Sequence, residues 1–66
     1  MHIYEVIPNW DGGHNHVVIA NSKKNAVKLV VDCLNEEHGF EMFYLDDYVA
    51  NDPIDPNDYA EEMLLN

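Results

Sequence analysis

Sixty-six residues with a formal net charge of −10, 47% of them apolar, fit one small folded domain rather than a disordered acidic tail. Three lysines and no arginine exclude direct binding to nucleic-acid phosphates or to an anionic membrane surface, since both need clustered cations. No run approaches the ~18 apolar residues of a membrane span. The single Cys33 forms no internal disulfide, and no basic-then-apolar leader is visible at the start, so a reducing cytoplasm is the expected compartment.

His2 to Ile7 reads as a strand, with Tyr4 and Val6 on one face and Ile3, Glu5 and Ile7 on the other. Asn9-Trp10-Asp11-Gly12-Gly13 is turn chemistry, because Asp-Gly and Gly-Gly supply the positive φ of hairpin turns. His16 to Ala20 is the returning strand, rich in β-branched Val17, Val18 and Ile19. Ser22 is placed to cap a helix from about Lys23 to His38, whose apolar stripe is Ala26, Val27, Val30, Cys33 and Leu34. Gly39 ends it, since glycine takes the left-handed conformation without steric cost. Alternation predicts a third strand over Phe40–Leu45. Asp55 before Pro56, followed by Tyr59, Ala60, Met63 and Leu64 at helical spacing, predicts a short final helix.

The expected fold is therefore α+β in the order β-β-α-β-α. It has a three-stranded antiparallel sheet in order 2-1-3, the main helix on one face and a short C-terminal helix, all in one domain over 1–66. The second sheet face, where Ile3, Ile7, Phe43 and Leu45 are expected, is left for the last helix or a partner to cover.

The charge is segregated along the chain. Residues 1–31 carry two acids and three lysines, a net +1, while residues 32–66 carry eleven acids and no base, a net −11. The main helix opposes its own dipole: Lys23 and Lys24 stand at its positive end, and Glu36 and Glu37 at its negative end. Each such placement costs roughly 0.3–1 kcal/mol at low salt. Asp52, Asp55, Asp58 and Glu61 recur every three residues beside Glu62, and on a helix such neighbours have Cβ atoms about 5–6 Å apart, close to the step between successive phosphates of a nucleic-acid strand. Asp32, Glu36, Glu37, Glu41, Asp46 and Asp47 extend the series. Carboxylates so spaced on one surface attract Lys and Arg and speed association by electrostatic steering. The bland reading of the same residues is a solvated acidic exterior.

Other chemistries find little footing. The window Asn51–Glu62 ends as a calcium loop does, but Pro53 and Pro56 occupy a ligand position and the glycine position, so only Asp55 and Glu62 match. His14 and His16 form a His-x-His pair that could ligate zinc with a third ligand, but His14 falls in the expected turn and Cys33 on the core stripe, so surface or strand histidines are expected. Cys33 lies on the core stripe of the helix rather than in an electropositive, exposed setting. Nothing resembles a phosphate loop or a catalytic carboxylate pocket. Neither enzymatic activity nor a cofactor is expected. Trp10, Tyr48 and Tyr59 are either cover for a thin core or aromatic anchors for a partner.

In length, charge and compact α+β order, the chain resembles the small acidic phage-encoded anti-CRISPR proteins that act as DNA mimics. The residues carrying the resemblance are Asp32, Glu36, Glu37, Glu41, Asp46, Asp47, Asp52, Asp55, Asp58, Glu61 and Glu62. No diagnostic motif underlies it. The resemblance implies binding to a CRISPR effector subunit where target DNA would lie, in a bacterial host cytoplasm and without chemistry. Phage inhibitors of uracil glycosylase and restriction enzymes use the same idea, so another basic nucleic-acid-binding protein is an equivalent target. The alternative is a non-enzymatic structural or dimerisation module that associates through the uncovered sheet face. The chain itself is expected as a monomer or homodimer.

Overall fold

The turn-separated pair of β-rich runs closes as a hairpin. In the computed structural model, which describes residues 1–39, 43–54 and 58–65, β1 (His2–Pro8) and β2 (His16–Ala20) pair antiparallel, with Ile3 opposite Ile19 and Tyr4 opposite Val18. Gly12 has φ 89° in the connecting loop. Gly13 is required for a different reason. A Cβ there would lie 2.7 Å from Cβ and Cγ of Pro8 and 3.1 Å from the Trp10 ring, so the loop folds back where no side chain fits.

Helix α1 (Lys23–His38) has the predicted bounds and caps. The Ser22 hydroxyl accepts from the Asn25 N–H at 3.1 Å. Gly39, at φ 78°, turns its N–H back to the carbonyls of Asn35 and Glu36. Ala26, Val30 and Val31 are its buried residues. They meet Tyr4, Val6, Val18 and Ala20 of the hairpin, and Val6, Val18 and Val30 are fully enclosed.

The remaining chain departs from the sequence expectation. A four-stranded antiparallel sheet with one helix replaces the predicted three strands and two helices. The third strand, β3, is Tyr48–Ala50 rather than Phe40–Leu45, and it comes after a 3-10 turn over Leu45–Asp47. Phe40–Met42 lie outside the described residues. Strand β3 does take the free edge of β1, with Val6 opposite Ala50 and Ile7 opposite Val49. No helix forms over 58–65. Instead β4 (Met63–Leu64) pairs with β2, Leu64 opposite Val18 and Met63 opposite Ile19, to give the order β3-β1-β2-β4.

Backbone hydrogen bonds explain the replacement. Asn51 and Ile54 donate to Glu5 and Ile3 along β1, Tyr59 donates to Met1 at the end of the sheet, and Leu65 donates to Val17 along β2. The segment thus rounds the sheet from one edge to the other. The unpaired edges of β1 and β2 offered these partners, and a single short helical stretch is only marginally stable by itself.

The two sheet faces differ. Tyr4, Val6, Val18, Tyr48 and Ala50 face α1. Strand alternation puts Ile3, Glu5, Ile7, Val17, Ile19, Val49 and Met63 on the other face. No helix covers that face among the described residues. Phe43 and Leu45, expected there, lie elsewhere. Phe43 packs on the helix-side core, and Leu45 lines a groove beside α1.

Candidate functional site

The described acidic residues stand on several elements. One group stands where the C-terminal half of α1 meets the 3-10 turn. Asp32, Glu36 and Glu37 project from the helix into solvent, and Asp46 is exposed on the turn. The Asn35 side chain ties the two elements together. Its Nδ2 donates to the Phe43 carbonyl at 2.9 Å, and its Oδ1 accepts from the Phe43 N–H at 2.7 Å. This reproduces with a side chain the two bonds of a strand pair. The Asp47 carboxylate accepts from the Tyr44 N–H at 2.9 Å and closes the turn. Asn9 secures the far side, its backbone N–H donating to the Asp47 carbonyl at 2.7 Å and its Nδ2 to the Asp46 carbonyl at 3.1 Å.

Between helix and turn runs an open groove of about 490 Å³. Val31, Phe43 and Leu45 supply its apolar lining, Tyr44 an aromatic one, and Lys28, Asp32, Asn35 and Asp46 its polar groups. Asp32 also lines a smaller hollow of about 250 Å³ with Asn25, Lys28, Leu29 and Glu62. The structure therefore brings Asp32 and Asp46 to one groove, and Asp32 and Glu62 to the next.

The later acids are placed differently. Asp52 forms an ion pair with Lys23 at 2.6 Å, and Asp58 is paired with the Met1 ammonium. Lys23 holds the Asp52 carboxyl below the ordinary aspartate value by hydrogen bond and charge, and the Met1 ammonium does the same for Asp58. Asp52 thereby offsets the misplaced lysine at the positive end of α1, a compensation that joins residues distant in sequence. Glu61 and Glu62 are exposed before β4. Glu41 and Asp55 lie outside the described residues. With no helix over 58–65, Asp58, Glu61 and Glu62 are not set out at helical spacing.

The pairing sets both the sign and the pH window. A depressed carboxyl contributes stability above the ordinary carboxylate range and loses it as pH falls below that range. Both pairs are solvent-exposed, so the stability effect is small. NMR titration is expected to find Asp52 protonating below the usual aspartate value and Lys23→Gln returning it there. A titration identical in both proteins would show that the pair does not persist in solution.

Cys33 is half-buried, and burial, with Glu37 and Glu36 adding to it, raises its thiol above the ordinary value, which disfavours a nucleophilic thiolate. The His16 ring lies against Tyr48 at a centroid distance of 6.1 Å. Among the described residues, no three His, Cys, Asp or Glu side chains are grouped to hold a metal ion. No helix there is long and apolar enough to cross a membrane.

Sequence reasoning passed over Asn35, Tyr44 and Leu45 as site residues. The available signal was two large apolar side chains directly before an acidic pair. Asn35→Ala removes both bonds to Phe43 and is expected to cost about 1–3 kcal/mol. Amide exchange at Phe43 and Asp47 is expected to accelerate beyond the global change. Unaltered exchange at these two amides would show that the turn holds without the clamp.

No protein-family model matches this chain, and neither a curated protein nor a solved structure is detectably similar to it.

Proposed function

We propose that this protein is a non-enzymatic inhibitor that binds a basic nucleic-acid-binding protein through its acidic shoulder and keeps DNA off that protein. The observation that carries the reading is that exposed Asp32, Glu36 and Glu37 of α1 and Asp46 of the 3-10 turn stand on two ordered elements that Asn35 ties together. Charges held in place before binding lose less conformational entropy on association than charges on a mobile tail. A partner surface that evolved for phosphates presents the Lys and Arg that such a shoulder attracts. The resemblance to acidic anti-CRISPR proteins makes a CRISPR effector subunit in a bacterial cytoplasm the first target to test.

The experiment is a target-duplex binding assay on purified CRISPR effector–guide complexes, with and without this protein, across a salt series. Inhibition that competes with duplex and weakens steeply as salt screens the charges supports the reading. Binding that leaves duplex affinity untouched, or that ignores salt, overturns it for that target.

The sheet face away from α1 favours a second reading, a dimerisation module. Ile3, Ile19 and Met63 form a row across three strands; Ile19 at its centre is buried, while Val49 and Met63 on the outer strands are 43% and 49% exposed. Glu5 lies among these residues, its Oε1 accepting from Asn51 at 3.2 Å. Sedimentation equilibrium separates the two readings. A micromolar dimer abolished by Met63→Glu favours the module, and a monomer at all concentrations removes it.

A further inference from the structure

The groove between α1 and the 3-10 turn combines features that a plain charged surface lacks. Its apolar lining comes from Val31, Phe43 and Leu45, while Asp32 and Asp46 place carboxylates on it from two different elements. It is an open groove of about 490 Å³, so an occupant would lie along it rather than be enclosed. Tyr44 and Leu45, which line it, are 58% and 47% exposed, large side-chain surface left to solvent.

We propose that this groove receives an arginine side chain of the partner protein. The proposal rests on the acidic-shoulder reading for the kind of partner, and it adds the one contact that would fix its register. Charge complementarity selects the occupant. Two carboxylates against the single ammonium of Lys28, within a molecule of net charge −10, favour a cation over a neutral apolar group. The apolar lining selects among cations. An arginine stem packs along aliphatic side chains such as Val31 and Leu45. Its planar, weakly hydrated guanidinium stacks on an aromatic face such as Tyr44 and offers a fork of N–H donors to carboxylates. A lysine ammonium is a compact, strongly hydrated point charge and gains less from the same walls. Lys28 competes for the two carboxylates, so its removal is expected to strengthen the interaction.

The test is an NMR titration of the full chain with the blocked tripeptide acetyl-Gly-Arg-Gly-amide, and with citrulline and lysine in place of arginine. Saturable shifts centred on Val31, Phe43, Tyr44 and Leu45 are expected for arginine. Binding is expected to be about tenfold weaker for citrulline, which is isosteric and uncharged, and weaker for lysine. Asp46→Asn is expected to weaken arginine binding about twofold to fivefold, and Lys28→Met, which keeps the stem, to strengthen it about threefold, the scale of one exposed charge contact. Shifts spread evenly over Glu36, Glu37, Glu61 and the groove alike would overturn the proposal, as would equal binding of citrulline and arginine.

The two readings fail separately. Arginine-specific groove shifts without competition against duplex would leave the groove and remove the inhibitor. Competition with duplex and no groove-centred shifts would do the reverse.

Discussion

Tyr48→Ala is expected to lower stability by about 4 kcal/mol, most of what a chain of this length possesses. Removing a buried aromatic ring costs about 3–5 kcal/mol, and 66 residues at ordinary stability per residue hold roughly 3–10 kcal/mol. Tyr48 is 5% exposed at the start of β3. Its ring meets Trp10 edge-on at a centroid distance of 6.4 Å, Phe43 at 6.3 Å and His16 at 6.1 Å. One side chain thus joins the hairpin loop, strand β2, the segment leading into the 3-10 turn and the sheet edge. Burial, with Asp47 adding to it, raises its phenol above the ordinary tyrosine value, in keeping with an enclosed ring. Tyr48→Phe keeps the ring and is expected to cost less than about 1 kcal/mol. Urea unfolding followed by Trp10 fluorescence measures both. A loss below about 1.5 kcal/mol for Tyr48→Ala would mean that the four rings do not act as one structural unit.

Neutralising Asp32, Glu36, Glu37 and Asp46 together is expected to weaken inhibition of the basic partner on the order of a hundredfold. Each exposed charge contact contributes a few tenths to 1 kcal/mol, and four acting on one surface compound to that range. Asp47 is excluded from the set because its carboxylate closes the turn. The matched control is Asp52→Asn with Asp58→Asn. Both of these carboxylates already hold cations of this chain, so their loss is expected to change inhibition less than about threefold. The two variants alter charge in the same direction, and the contrast between them locates the interaction. Equal losses per charge in the two would show that net charge alone acts, with no preferred surface. The melting curve of the four-residue variant is expected to stay at or above that of the parent, because removing like charges relieves repulsion, and that of the control to fall slightly, because it loses two exposed ion pairs.

The hairpin and α1 were legible because their signals are local. Alternation set β1 and β2, Gly12-Gly13 set their turn, and Ser22 and Gly39 bounded the helix to the residue. The last third was not, because non-local bonds decide it. Tyr48-Val49-Ala50 is too short to outweigh the better alternation of Phe40–Leu45. It becomes a strand because Val6, Ile7 and Pro8 stand beside it as partners. Met63-Leu64 carried a helical spacing, yet the free edge of β2 offered hydrogen bonds that a short acidic helix could not match. The charge segregation was plain from composition. Its division into an exposed shoulder and two internally paired carboxylates was hidden, since Lys23–Asp52 and Met1–Asp58 join residues far apart in the chain. The Asn35 clamp shows the same limit, because an asparagine in a helix looks alike whether it faces solvent or holds a loop.

The edge-to-edge course of the last segment bears on the order in which the fold assembles. Both central strands and the helix come from the first 38 residues, and both outer strands come from the chain beyond α1. A local hairpin and helix close at low entropic cost, whereas β4 must meet β2 across more than 40 residues. The kinetic barrier is therefore expected to be crossed with the edges still unformed. Weakening Val49 or Leu64 should then raise the unfolding rate and leave the folding rate nearly unchanged, while Val18 and Val30 affect both. Stopped-flow chevrons read this division directly. Once folded, the two outer strands part company: buried Tyr48 and Ala50 tie β3 and the acidic turn before it to the lifetime of the centre, whereas β4, with Met63 exposed, is free to open and close on its own.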